Sequence, residues 1–160
     1  MTAVVINPLP FGARHQVPSR IVVHCMAEHV DYEGKRIHAW ELLYRLGLSS
    51  HVLLTPNGVR IVCRREQQGA FHAKGYNTNS LGVEVLVPGV FNLEQLQERT
   101  KSPYVEPAQF EELVKLVLEW RRAYHIRQID RHSDLDPERR WFDPGEGFPW
   151  AELLKRTWSY

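Results

Sequence analysis

Residues 67 to 87 read QQGAFHAKGYNTNSLGVEVLV. Gln67 to Ser80 is rich in Gly, Asn and small polar residues, whereas Leu81 to Val87 is apolar apart from Glu84. A short apolar run containing β-branched residues predicts a buried strand. A carboxylate inside such a strand costs several kcal/mol unless it is paired, lies near a metal or faces a cavity. Glu84 is therefore either a working group or half of an ion pair with a neighbouring Arg.

The elements around this strand set the fold class. Ile21 to Met26 (IVVHCM) reads as a second buried strand that ends in residues able to bind metal. His51 to Leu54 and Val59 to Ile61 and Val62 flank Thr55-Pro56-Asn57-Gly58, whose Asn-Gly pair signals a hairpin. Ile126 to Asp130 suits a last short strand. Ile37, Trp40, Leu43 and Tyr44 recur at helical spacing, with Gly47 as the stop. Phe110, Leu113, Val114, Val117, Trp120 and Tyr124 predict a long amphipathic helix. A helical turn over Leu93 to Glu98 and a closing helix from Pro149 to Arg156 complete the pattern, and the acidic stretch Glu28 to Gly34 is left as a connection. Strands and helices alternate, but a tight hairpin sits among them. The expected class is α/β, a mixed central β-sheet flanked by helices, rather than a doubly wound parallel sheet.

The 160 residues, 43% hydrophobic and 24% charged, suit a single domain over 1–160, with 1–19 as an extended N-terminal arm. Twenty Lys and Arg oppose 19 Asp and Glu. That balance argues against nucleic acid or an anionic membrane as a partner. Cys25 and Cys63 are too few for a disulfide framework and lack zinc-knuckle spacing. The opening MTAVVINPLPFGARHQVP has no basic leader, so synthesis in the cytoplasm without a signal peptide is expected, with no stable membrane association.

His24 and His132, each unremarkable alone, gain weight beside Asp143. Zinc takes neutral imidazole and carboxylate, and a hydrolytic site needs three protein ligands and an open position. Asp134 and Asp136 compete with Asp143 for the third place. Glu84 would accept a proton from the attacking water and pass it to the leaving amine.

Three blocks resemble the zinc N-acetylmuramoyl-L-alanine amidases, which share a fold with peptidoglycan recognition proteins: Arg20 to Ala27, His51 to Gly89, and Arg131 to Trp150. The run from Phe71 to Glu84 looks very like a segment of small phage lysozymes that are amidases. The resemblance spans Arg20 to Leu154. It implies a Zn²⁺ cofactor and cleavage of the amide between N-acetylmuramic acid and L-alanine. It also implies His24, His132 and Asp143 as metal ligands, the last within an Asp-Pro-Gly pattern. Glu84 matches the catalytic glutamate of the branch that includes cytosolic muropeptide-recycling amidases, whereas phage members use a tyrosine at the place held here by Ser50.

Trp141 stands where the family usually has an oxyanion-stabilising lysine. A loop one residue longer puts Arg140 in that role, with Arg139 as the other choice and a solvated arginine pair as the bland one. His72 and Asn79 are candidate substrate-binding residues, though such loops also use Asn to turn. His51 is read as supporting or structural, and Cys25 as core on the sheet face opposite His24. His15, His29, His38 and His125 are read as surface or packing residues. Trp40, Trp120 and Trp150 are read as core aromatics, and Trp141 as core or sugar platform. The expected protein is a monomeric endolysin acting on peptidoglycan of the cell wall. A recycling amidase taking soluble muropeptide, a delivered effector and a non-catalytic peptidoglycan-binding module are the alternatives.

Overall fold

Strands β2 (Arg20–Tyr32) and β6 (Ser80–Val90) run parallel at the centre of a seven-stranded mixed sheet, with Ile21 paired to Leu81 and Ala27 to Val87. The computed structural model describes residues 3–12 and 16–158. Beyond β6 lie β4 (Val52–Leu54), β5 (Arg60–Val62) and β1 (Val4–Ile6). β4 is parallel to β6, β5 antiparallel to β4, and β1 parallel to β5. The Asn57-Gly58 hairpin forms as expected. The region read as an arm contributes the short edge strand β1, and Leu9 after it is buried. His15 lies outside the described residues.

Side-chain alternation divides the sheet into two faces. Ile21, Val23, Cys25, Leu81, Val83 and Val85 pack toward α3 (Pro107–Tyr124) and α5 (Trp150–Trp158) in the larger core, which also holds Trp120 and Leu153. Each aliphatic side chain removed from water there contributes about 1.5–3 kcal/mol. The buried Gln109 amide of α3 donates to the carbonyls of Leu54 and Leu86, both at 2.8 Å, and ties the helix to the sheet. On the opposite face Leu53, Leu86 and Met26 pack with α1 (Ala39–Leu46). This second core is smaller and leaves part of that face uncovered.

Two sequence expectations change. The stretch Glu28 to Gly34 is a hairpin: β2 continues to Tyr32 and pairs antiparallel with β3 (Lys35–His38). Glu33 (φ 50°) and Gly34 (φ 78°) supply the two positive φ values that a tight turn between twisted strands requires. Ile37 accordingly belongs to β3, and α1 begins at Ala39, where His38 Nδ1 accepts the Trp40 N–H at 3.1 Å. Gly47 closes α1 in the left-handed conformation. The short helix α2 spans Leu93–Arg99. β7 (Gln128–Arg131) pairs parallel with β2 and leads directly into the single turn α4 (His132–Leu135).

Candidate active site

The outer edge of β2 is shared by two strands that do not meet. β7 covers Arg20 to Val23 and β3 covers His29 to Tyr32, so the edge between them is unpaired. The loop from His132 to Asp143 fills this gap. In place of a ladder bond, the Cys25 backbone N–H donates to Asp143 Oδ1 at 2.7 Å, and the Ser133 N–H donates to the Asp143 carbonyl at 2.9 Å. His24, one residue earlier, points to the opposite face from Cys25. Its register partner is Glu84 on β6. Strand alternation thus sets the histidine and the carboxylate side by side over the uncovered part of the sheet.

Three side chains converge there. His24 Nδ1 lies 3.0 Å from His132 Nδ1 and 3.5 Å from Asp143 Oδ2, and His132 Nδ1 lies 3.0 Å from the same oxygen. Donors about 2.0–2.1 Å from a tetrahedrally bound ion are separated by about 3.3 Å, so the triangle fits one divalent cation. Glu84 Oε1 is 4.0 Å from His24 Nδ1, adjacent to the triangle. All four residues are buried, with 1% to 7% of their surface exposed. The competing carboxylates are engaged elsewhere. Asp134 pairs with Arg131 at 2.8 Å and Asp136 with Arg139 at 2.9 Å.

Burial and neighbouring charge push the two site carboxylates apart. Burial alone would raise Asp143, but its contacts with the imidazoles of His132 and His24 outweigh it and hold the carboxyl at about 2. Glu84 is driven well above the usual carboxylate range by burial and by the charge of Asp143, with Arg140 opposing in part. Burial also holds the His24 imidazole below its ordinary value. The result is one carboxylate that stays ionised and one poised to carry a proton.

The site opens into a cleft of about 500 Å³. Arg139, Arg140, Lys74 and Asn77 contribute to its polar lining. Among the described residues the Arg140 guanidinium has no ion-pair partner, whereas Arg139 is held by Asp136. Trp141 is half exposed and is not part of the cleft lining. Ser50, just before β4, is fully buried and is also outside the cleft. His72 lies at the inner end, its Nδ1 2.8 Å from His24 Nε2. Asn79 is not among the cleft-lining residues; its backbone carbonyl accepts from Ser19 N–H at 2.9 Å.

His51 is fully buried. Its Nδ1 accepts the Gly82 N–H at 3.0 Å and its Nε2 donates to the Gln68 carbonyl at 2.7 Å. Cys25 packs in the larger core, and Trp120 is buried there with Trp150 partly buried against it. Trp40 packs on the smaller core. His29 lies near Glu28 and edge-on to His38, while His125 ends α3 on the surface.

The sequence reading missed the apolar wall. Leu42, Leu46 and Leu48 from α1 and its exit line the cleft together with Leu93 and Phe71. Of these, Leu46, Leu48, Phe71 and Leu93 are exposed. The available signal was a surplus of leucines in α1 beyond the stripe that packs on the sheet. Exposed apolar side chains grouped at a cleft mark a binding surface. Among the described residues no helix is long and apolar enough to cross a membrane.

Comparison with known proteins agrees with this fold. The endolysin of Klebsiella phage KP32 is 27% identical over 143 residues, covering 83% of this chain and 91% of that protein. The fold matches the endolysin N-acetylmuramoyl-L-alanine amidase LysCS from Clostridium intestinale with a TM-score of 0.72 at 22% identity, covering 98% and 95% of the two chains. It also matches the N-acetylmuramyl-L-alanine amidase AmiD from E. coli, solved with anhydro-N-acetylmuramic acid-L-Ala-D-gamma-Glu-L-Lys, with a TM-score of 0.66 at 26% identity over 90% of this chain and 59% of that one. Residues 14–146, which carry the three converging side chains and Glu84, match the family model for N-acetylmuramoyl-L-alanine amidase, and the chain therefore belongs to that family of cell-wall hydrolases.

Proposed function

We propose that the protein is a zinc-dependent endolysin in which His24, His132 and Asp143 hold the metal, Glu84 moves the proton and Arg140 stabilises the oxyanion. The convergence of two imidazoles and a carboxylate within 4.8 Å of one another carries the reading. Two neutral nitrogen donors and one carboxylate oxygen suit Zn²⁺ better than the oxygen-rich sites of calcium or magnesium. When bound, zinc supplies Lewis-acid polarisation of the amide carbonyl and acidifies the attacking water.

The chain's own residues supply the remainder. Glu84, raised by burial, accepts the proton of the attacking water and returns it to the departing L-alanine nitrogen. Arg140, exposed at the cleft rim and uncommitted among the described residues, places a permanent positive charge toward the developing oxyanion. Asp143 keeps its charge throughout, because the Cys25 N–H donates to it and a cation held in the triangle would favour its ionised form. The apolar wall covers the uncharged surface of the substrate and limits water at the reacting amide.

The phage endolysin relative, matched over most of its length, supports intact cell wall as the substrate. Product mass spectrometry tests the assignment on intact sacculi and on soluble anhydro-muropeptides, each with and without chelator. The expected result is new L-alanine amino termini from sacculi, abolished by chelator and restored by zinc. Turnover confined to soluble fragments would reassign the protein to muropeptide recycling. Binding to sacculi without release of peptide would make it a recognition module.

A further inference from the structure

We infer that His72 is a positioning residue that fixes the ring proton of His24 and so aims the His24 lone pair at the metal position. The inference rests on the zinc reading above for its functional meaning, but the hydrogen-bond argument stands without a metal. It starts from the Tyr76 backbone carbonyl, which accepts and never donates. Ser80 Oγ lies 2.6 Å from that oxygen, so the single hydroxyl proton of Ser80 is committed there. The same Oγ lies 3.0 Å from His72 Nε2 and must accept from it. His72 therefore carries its ring proton on Nε2, and in its neutral form Nδ1 is a bare acceptor. That atom is 2.8 Å from His24 Nε2, which must donate. His24 Nδ1 is left with its lone pair directed at the triangle shared with His132 and Asp143.

The surroundings of His72 are built to hold this ring. A Cβ added at Gly82 would meet its Nδ1 at 2.5 Å and its Cε1 at 2.8 Å, so the ring occupies space that only glycine leaves free. Asn77 Oδ1 accepts from the backbone N–H groups of His72 at 3.0 Å and Ala73 at 2.8 Å, which fixes where the ring departs from the chain. Ser80 is fully buried. Both ring nitrogens of His72 thus have partners inside the protein, and the residue acts through His24 rather than on substrate. Metal-binding histidines are oriented in this way by a partner on the second nitrogen. Here that partner is a second imidazole, with a serine and a backbone carbonyl behind it.

The test uses the full chain in two measurements. Long-range ¹⁵N NMR of the metal-free protein reads the ring tautomers directly. His24 is expected in the Nε2–H form in the wild type, with mixed tautomers in His72→Phe, which keeps a ring against Gly82 and removes the acceptor. Zinc affinity by competition with a chromophoric chelator is expected to fall about 10–100-fold in His72→Phe. His72→Asn, whose carbonyl oxygen replaces the Nδ1 acceptor, is expected to recover most of that loss, and Ser80→Ala to show a smaller one. Unchanged zinc affinity in His72→Phe, equal losses in His72→Phe and His72→Asn, or a wild-type His24 in the Nδ1–H form would each overturn the inference. Wild-type protein that takes up no zinc would instead refute the zinc reading, and the tautomer measurement would still decide the role of His72. The wild-type tautomer likewise decides if His72→Phe does not fold.

Discussion

The backbone N–H of Cys25 donates to Asp143 Oδ1 at 2.7 Å, which leaves Oδ2 of the same carboxylate facing His132 and His24. The strand edge thereby orients the carboxylate, and the loop that carries it closes the gap between β7 and β3. Asp143→Ala removes one of the three proposed ligands as well as a buried acceptor. Zinc stoichiometry by elemental analysis is expected to fall well below one per chain. Full zinc content in this variant would move the third ligand to another carboxylate of the loop.

Arg140 and Arg139 are adjacent in sequence but differ in commitment, since Asp136 holds Arg139 at 2.9 Å. Arg140→Ala is expected to lower kcat by about 10²–10³, the usual loss for a missing oxyanion donor. Arg139→Ala should stay within about threefold of wild type, the size expected for loss of an exposed pair. Steady-state kinetics on a soluble muropeptide separates them, and the reverse order would exchange their roles.

His51 gives the fold a pH dependence. Burial holds its pKa at about 4, against 6.5 for the free side chain. Below pH 6.5 the unfolded chain takes up a proton that the folded protein refuses. The stability present above that value is lost as pH falls toward about 4, by about 3 kcal/mol. His24 and His72, also held down by burial, add to the same slope. Urea denaturation of the metal-free protein should show this decline, with a shallower slope in His51→Gln. An equal slope in that variant would remove His51 from the account.

Gly82→Ala tests the space beneath the site. The added methyl would meet the His72 ring at 2.5 Å, too close for both to stay in place. A destabilisation of about 1–3 kcal/mol in urea is expected, as for other overpacked positions. Wild-type stability would show that the ring is free to move.

The sheet class was legible because its strands announce themselves locally. IVVHCM and LGVEVLV are short, apolar and β-branched, and Asn57-Gly58 marks the hairpin between β4 and β5. The β2–β3 hairpin was not legible. Edge strands carry polar residues, so Glu28, Asp31, Lys35 and Arg36 read as a loop, and only the Glu33-Gly34 turn hinted otherwise. Glu84 stood out as a charge in an apolar strand, but its pairing with His24 depends on a register between strands far apart in the chain. Asp143 came from a family pattern. Asp134 and Asp136 are each paired with an arginine three residues away, Arg131 at the end of β7 and Arg139 on the loop, and this favours Asp143 as the proposed third ligand. That spacing was present in the sequence and could have demoted both. The contacts behind His72 were not legible because Ser80 and the Tyr76 carbonyl carry no chemical signature until the loop is folded.

The central claim is that one buried carboxylate, driven up in pKa beside a metal site, moves the proton that cleavage of the amide requires. The most direct measurement is the Glu84→Gln variant, assayed together for zinc content and for turnover of purified sacculi. Zinc at wild-type stoichiometry with a loss of at least about 10²-fold in turnover is the expected result. Near-normal turnover with zinc in place would contradict the account, because the proton would then be moving without Glu84.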